Sequence, residues 1–238
     1  MSHTELRQSS ISIKRSGVHR IIQVVVLLCI QAAVLFAAAG TLNWLRAWAY
    51  IGMSVALLMV NMVVLFRVNP EVINQRGKIK SDTKKFDKVI SVMCAPLPFI
   101  MLVIAGFDAV RFQWSSMSGS LAIVGVAVLV SAQFLFLWAM AVNVYFETSV
   151  RIQKDRDQHV VASGPYQFVR HPGYVGFILM HVGTPLFLGS WWAFVPVFLM
   201  VILVVIRTAL EDLTLHNELP GYTEYAHNVR YRLLPGVW

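Results

Sequence analysis

Five stretches of this chain, 21–45, 47–66, 89–107, 112–146 and 172–206, contain no Asp, Glu, Lys or Arg. A hydrocarbon core about 30 Å thick is crossed by roughly 20 apolar helical residues. The first three stretches therefore predict one membrane helix each, over 21–40, 47–66 and 89–107, with Pro96 and Pro98 kinking the third. The fourth predicts a span near 119–141, preceded by the polar run Ser115 to Ser120. The fifth is broken by Pro185, Gly189 and Pro196, and reads as two short helices, roughly 173–188 and 191–206, that turn at Gly189–Trp192 and cross at a tilt or incompletely. Nothing alternates with the period of a barrel strand, and lipid offers no partner for unpaired backbone groups. The expected fold is all-α: a polytopic transmembrane helix bundle of about six membrane segments. The first apolar stretch exceeds the 7–15 residues of a signal-peptide core and reads as a retained helix.

Composition agrees with the pattern. Apolar residues make up 57% and charged residues 13% of the 238, against roughly 45–50% and 25% in soluble chains. Disorder and a disulfide scaffold are excluded; Cys29 and Cys94 both lie in apolar runs, where a thiol packs as a small hydrophobe. The net charge of +8 is a matter of topology. Eighteen of the twenty Lys and Arg fall in the N-terminal arm, the 67–88 and 143–171 loops and the tail, while Arg46 and Arg111 stand alone in the short loops opposite. By the positive-inside rule both termini are expected on the cytoplasmic side. Trp44, Trp48, Trp114, Trp191 and Trp192 then mark the outer boundary. No basic, aromatic-interleaved soluble domain exists to bind nucleic acid.

The chain is read as one integral-membrane domain with two halves. Residues 1–142 carry scattered uncharged polar residues (Gln23, Gln31, Ser54, Asn61, Gln133) suited to interhelical hydrogen bonds. The 67–88 loop has no apolar period and is expected to be solvated at the lipid headgroups. From 143 onward polar, aromatic and turn-forming residues concentrate. In GPYQFVRHPGYVG (164–176), Gly164-Pro165 makes a turn and Pro172 suits the first turn of a helix, just after Arg170 and His171. Free N–H groups and a guanidinium would converge there on a carboxylate or phosphate; an interfacial arginine with helix-packing glycines at Gly173 and Gly176 is the alternative. Arg207 and Glu211 share a helix face, and the adjacent acids Glu211-Asp212 call for a cation: a ligand ammonium, or Arg170. In the tail, Tyr222, Tyr225 and Val229 recur at helical spacing, as a packing stripe or as a lid ending in Arg230 and Arg232. His181, seven residues after Tyr174 on one face, is either a packing histidine or a functional group at membrane depth. No ligand spacing for a metal, no GxGxxG, no GxxxxGKS and no GxSxG is present.

In these residues the chain resembles the isoprenylcysteine carboxyl methyltransferase family and its relatives that methylate phospholipid amines. The likeness rests on Gly164-Pro165-Tyr166, Arg170-His171-Pro172 with Tyr174 and Gly176, Glu211 followed by an acid, Tyr222, Tyr225 and the closing Arg230-Tyr231-Arg232-Leu233-Leu234-Pro235, and covers about 143–238. It implies a multi-span membrane enzyme that uses S-adenosyl-L-methionine without a Rossmann domain. It implies further that the Gly-Pro-Tyr and Arg-His-Pro-x-Tyr-x-Gly residues wrap the cofactor and that the acidic pair contacts the cofactor or the reacting centre. The family has two glutamates where this chain has Glu211-Asp212, so this chain departs from the family pattern at Asp212.

The residue types suit that chemistry. Arg170, His171 and the helix start match the cofactor's carboxylate, Glu211 and Asp212 its ammonium, and Tyr166, Tyr174, Tyr222 and Tyr225 the base or the sulfonium. Arg170, Glu211 and Arg230 are the candidate catalytic residues. A carboxylate acceptor needs a counter-charge, for which Arg230 or Arg207 is expected. An amine acceptor needs a base, and Glu211 or His181 could serve. The expected reaction is methylation of a prenylcysteine-type carboxylate, with a phospholipid amine as the alternative. The acceptor would enter from the membrane lipids of a bacterial inner membrane or endoplasmic reticulum, with the site facing the cytoplasm. An NADPH-dependent sterol-type reductase would need more basic and asparagine ligands for a second phosphate, and a channel or transporter would need ionisable residues within several spans.

Overall fold

The computed structural model describes residues 13–77 and 80–238. Arg7 and Lys78, part of the basic topology signal, lie outside them. The chain is an integral membrane protein built of helices, with no strand among the described residues. Five spans are long and apolar enough to cross a membrane: α1 (Arg15–Ala39), α2 (Leu45–Val68), the pair α4 (Lys85–Cys94) and α5 (Leu97–Gly106, running into a wider turn at Phe107–Arg111), α6 (Gly119–Val142) and α8 (Phe194–Glu218). A sixth apolar helix, α7 (Pro172–Leu188), has 17 residues, about 25 Å of length, and falls short of the hydrocarbon thickness. Two short helices complete the chain, α3 (Pro70–Arg76) and α9 (Tyr222–Asn228). In α2 only 6% of the most apolar window is buried, and Ile123, Phe134 and Phe198 are more than half exposed. Such surfaces are tolerable only against lipid.

Pro96 and Pro98 act as expected: α4 ends at Cys94, and α5 restarts with Pro98 in its first turn. Pro196 does not. It was read as a break, yet it sits in the first turn of α8, where its missing N–H has no intrahelical partner to lose. The last helix is consequently one continuous rod of 25 residues to Glu218, rather than a short segment ending near 206, and it carries Glu211 and Asp212 out of the membrane on rigid backbone. The 67–88 region also departs from expectation. Instead of a solvated loop it contains α3, with Val72, Ile73, Asn74 and Gln75 buried against Leu65, Met140 and Phe146. Seven residues are too few for a hydrophobic period to register.

The core of the bundle joins Leu35, Phe36 and Ala39 of α1, Met101 and Leu102 of α5, Leu129 of α6 and Leu188 of α7. At one end a fully buried carboxylate, Asp108, accepts from the Ser115 amide (2.7 Å) and hydroxyl (2.8 Å), the Ser190 hydroxyl (2.6 Å) and the Trp192 amide (3.2 Å). That knot ties the α5–α6 loop to the α7–α8 turn. Trp48, Trp114, Trp191 and Trp192 are exposed, whereas Trp44 is 8% exposed and packs into the core.

Helices α6 and α7 approach on small residues. A Cβ added at Gly125 would stand 2.5 Å from the Phe187 backbone nitrogen, and one at Gly183 would stand 2.8 Å from Leu129 Cγ. Without water to drive association, such close van der Waals packing is what holds membrane helices together. Gly125→Ala is expected to destabilise the detergent-solubilised protein by about 1–3 kcal/mol through overpacking. Gly52→Ala on α2, where an added Cβ meets nothing within 4 Å, is expected to leave stability unchanged or raise it by about 0.5–1 kcal/mol. Thermal unfolding of both variants, followed by loss of the monodisperse chromatographic peak, checks the contrast.

Candidate active site

The site lies at the end of the bundle opposite Asp108, where α7, α8, α9, the 143–171 segment and the tail converge. Its centre is Asp212, whose side chain is 1% exposed. The carboxylate takes a two-pronged bond from Arg170, Nε to Oδ1 at 2.8 Å and Nη2 to Oδ2 at 2.9 Å. Arg232 Nε reaches Oδ2 at 2.8 Å, the Tyr222 hydroxyl donates to Oδ1 at 2.8 Å, and His171 Nε2 lies 3.3 Å from Oδ1. Arg170 continues outward: Nη1 donates to the carbonyls of Val229 (2.9 Å) and Arg230 (2.8 Å). Four of its five N–H directions are thus committed within the protein.

The backbone completes the clamp. The amides of Arg170 and His171 donate to the carbonyls of Tyr231 (2.9 Å) and Arg232 (3.0 Å). The Tyr225 hydroxyl donates to the Tyr166 carbonyl at 2.7 Å, and Asn143 Nδ2 donates to the Tyr166 hydroxyl at 2.9 Å. Burial pushes the Tyr166, Tyr222 and Tyr225 phenols above their ordinary range, and the Asp212 charge adds to this at Tyr222. All three therefore remain neutral donors at working pH. The tail and α9 are thereby pinned against the 164–171 segment.

Beside these elements lies a cavity of about 320 Å³. Tyr166, Arg170, His171, Tyr174, Glu211, Tyr222 and Tyr225 all line it. Glu211 accepts a hydrogen bond from the Tyr174 hydroxyl and forms no ion pair among the described residues. His171 stacks on Tyr174 with ring centroids 5.8 Å apart. Arg207 also faces the cavity; its Nε lies 2.7 Å from Asp87 Oδ1 and its Nη2 donates to the Thr148 carbonyl at 2.8 Å. The other wall is apolar, with Ile90, Cys94, Phe136, Phe177 and Val204.

The remaining candidates stand elsewhere. Gly164 and Pro165 form the turn that presents Tyr166, and Pro172 opens α7 beside His171. Gly176 meets α6, where an added Cβ would be 2.9 Å from the Ala132 carbonyl oxygen. His181 bonds Nδ1 to the Phe177 carbonyl at 2.8 Å, within its own helix, and does not border the cavity. The Arg230 side chain is exposed; its carbonyl serves Arg170. Among the described residues no group of three His, Cys, Asp or Glu could hold a metal ion.

Several contributors were not anticipated. Arg232 was seen only as part of a basic tail end, yet it reaches Asp212. Asp87 and Arg76 lie in a region read as solvated loop. Glu147 is 2% exposed between Lys80 (3.2 Å) and Arg151 (2.9 Å). Arg151 also holds Asp155 and Asp82, and the hydrogen bond it donates to Glu147 is the first cause of its raised pKa. This network folds the 143–161 segment over the cavity. Asn143, where the composition changes, was the one visible signal.

Residues 124–217 match the isoprenylcysteine carboxyl methyltransferase family. That segment runs from α6 through α8 and contains the turn, the Arg-His-Pro run and both acids. The protein-S-isoprenylcysteine O-methyltransferase of Schizosaccharomyces pombe is 39% identical over 46 residues, 19% of this chain and 20% of that protein. The match thus spans about a fifth of the length of that relative.

Asp212→Asn removes the charge that compensates two guanidiniums, and should cost on the order of 3–5 kcal/mol, the penalty of stranding a buried cation. Tyr222→Phe removes one bond to a charged acceptor and should cost about 1.5–3 kcal/mol. Arg230→Ala should change stability by no more than about 0.5 kcal/mol. Thermal unfolding, with limited proteolysis of the tail as second readout, ranks the three.

Proposed function

We propose that the protein is an S-adenosyl-L-methionine-dependent membrane methyltransferase whose acceptor is the carboxylate of a prenylcysteine-type lipid. The observation that carries this reading is the single cavity in which Tyr166, His171, Tyr174, Glu211 and Tyr222 face an apolar wall of membrane-helix side chains. A polar cationic donor and a greasy acceptor can meet there. The residues fit the donor: Glu211, bonded by Tyr174 and without an ion pair among the described residues, offers a carboxylate to an ammonium or sulfonium, and the tyrosine and histidine rings offer faces to a base or a cation.

When bound, S-adenosyl-L-methionine supplies a methyl on a sulfonium, and its transfer to a carboxylate oxygen leaves a methyl ester and the neutral thioether S-adenosylhomocysteine. The chain's own residues then have four tasks. Glu211, fixed by Tyr174, holds positive charge. Arg170 acts through Asp212 as a positioning residue that keeps α9 and the tail closed over the cavity. The neutral tyrosines exclude water without competing as nucleophiles. Guanidiniums on the cavity wall hold the acceptor's carboxylate in line, and alignment of this kind contributes on the order of 7–11 kcal/mol. No general base is required for a carboxylate, and the arginines lining the cavity favour that acceptor over an ammonium headgroup. In this reading residues 1–142 are scaffold, residues 143–238 carry the donor site, and the basic loops place the cavity at the cytoplasmic face of a bacterial inner membrane or endoplasmic reticulum.

Calorimetric titration of detergent-purified protein with S-adenosylhomocysteine and, separately, NADPH tests the reading. It expects binding of the first alone, followed by methylation of N-acetyl-S-farnesylcysteine when the donor is added. Glu211→Gln should weaken S-adenosylhomocysteine binding by roughly ten- to a hundredfold, as loss of a charged hydrogen bond would, with membrane insertion intact. Binding of NADPH alone, or methylation of phosphatidylethanolamine in place of the cysteine derivative, overturns it.

A further inference from the structure

One cation in the cavity has no assigned work. Arg76, at the end of α3, lies outside residues 124–217, and its guanidinium borders the cavity. It stands over the rings of Phe146 (5.3 Å to the centroid) and Phe136 (5.8 Å). Among the described residues it has neither a hydrogen bond nor an ion pair, whereas the cavity's other arginines, 151, 170 and 207, are each bonded to Asp or Glu. Burial draws its pKa down to about 9, and the nearby Arg207 and Arg20 add repulsion. A half-buried guanidinium held by ring faces alone would be further stabilised by an incoming anion.

The placement of Arg76 is enforced. Asn69 Nδ2 donates to the Met140 carbonyl at 2.9 Å, fixing the start of α3 to the end of α6. Asn74 Oδ1 accepts from the Lys14 amide at 2.9 Å. Gly77, directly after Arg76, packs so tightly on α1 that an added Cβ would lie 1.9 Å from the Ser16 carbonyl oxygen. The guanidinium therefore projects from a rigid ledge, ready-made for planar, two-pronged recognition of a carboxylate. It shares the cavity lining with Phe136, Ile90 and Cys94, and with Glu211, His171 and Tyr222 of the helices and tail.

We infer that Arg76 is the acceptor-binding cation, which grips the carboxylate of the lipid acceptor and makes the site select a carboxylate over an uncharged or amine end. This rests on the methyltransferase reading above, and it assigns to the scaffold half a specificity determinant that the matched segment does not contain. Arg76 replaces the exposed Arg230 and the Asp87-bound Arg207 as the anchor, and it acts on substrate binding rather than on the donor.

The experiment compares wild type with Arg76→Met, which keeps the apolar stem over the two rings, and with Arg76→Lys. Three quantities are read: the dissociation constant of S-adenosylhomocysteine, the KM of N-acetyl-S-farnesylcysteine, and inhibition by its carboxamide. Arg76→Met should leave the first within about twofold, raise the second by roughly ten- to a hundredfold, and leave the third unchanged, since the amide carries no charge to lose. Arg76→Lys should recover part of the KM, because it keeps the charge but not the fork. An unchanged KM in Arg76→Met overturns the inference, and so does a weakened S-adenosylhomocysteine affinity, which would assign Arg76 to the donor's carboxylate. If Arg76→Met does not accumulate in membranes, Arg76→Lys decides: equal preference for carboxylate over carboxamide in Lys and wild type overturns it. Failure of the wild type to bind S-adenosylhomocysteine or methylate the probe refutes the methyltransferase reading itself, and the inference falls with it.

Discussion

A carboxylate almost wholly withdrawn from water, held between two guanidiniums, is the constraint on which the functional end of this molecule depends. Asp212 stands on a membrane-crossing helix, Arg170 just before α7, and Arg232 and Tyr222 on the tail. The ion cluster thus ties together three pieces of chain that also meet in an apolar cluster of Tyr166, Leu219, Tyr222, Tyr225 and Ala226. Removing Asp212 or Arg170 strands a buried charge, so the pair and the groups bonded to it are held as a unit. The geometry also explains why a shorter acid suits this position. With five donor atoms from four residues converging at 2.8–3.3 Å, an extra methylene would push the carboxylate into its own ligands.

From that clamp follows a division of labour between the adjacent acids. Asp212 is buried and bonded by four residues; Glu211 lines the cavity and among the described residues is bonded only by Tyr174. In the proposed reading one acid organises the site and its neighbour offers charge to a ligand. The same division separates the arginines. Arg170 and Arg151 hold the tail and the overlying loop, Arg207 ties α8 to Asp87 of α4, and Arg76 lines the cavity with no ion pair among the described residues. Among the described residues the cavity thus presents one carboxylate, Glu211, and one guanidinium, Arg76, that have no ion pair, a polarity that would suit a cationic donor meeting an anionic acceptor.

Much of this was legible in the sequence, for identifiable reasons. Charge-free stretches mark the spans because lipid penalises ionised groups, and the Pro96–Pro98 break followed from proline's missing donor. The motif residues Tyr166, Arg170, His171, Tyr174, Glu211 and Tyr222 were singled out, and they come together. What escaped was long-range or short-period. Pro196 was read as a breaker because its position relative to a helix start cannot be seen in the string. Helix α3 was too short to show periodicity, and with it Arg76 was consigned to a headgroup-facing loop. Asp87, Glu147 and Arg232 find their partners across many residues of sequence, and no local pattern announces such pairs. Arg230 and Arg232 differ by one register step, yet the side chain of the first points to solvent and that of the second to Asp212.

The central claim is that tail, ion cluster and cavity form one cooperative unit that closes on a sulfonium donor. Hydrogen–deuterium exchange with and without S-adenosylhomocysteine tests it most directly. The amides of Arg170 and His171, bonded to tail carbonyls, should exchange as slowly as the buried turns of α7. The ligand should slow exchange further in 164–174 and 222–232 while leaving 112–118, at the far end of the bundle, unchanged. Fast exchange of the tail in both conditions, or protection by ligand confined to the far end, would contradict the account.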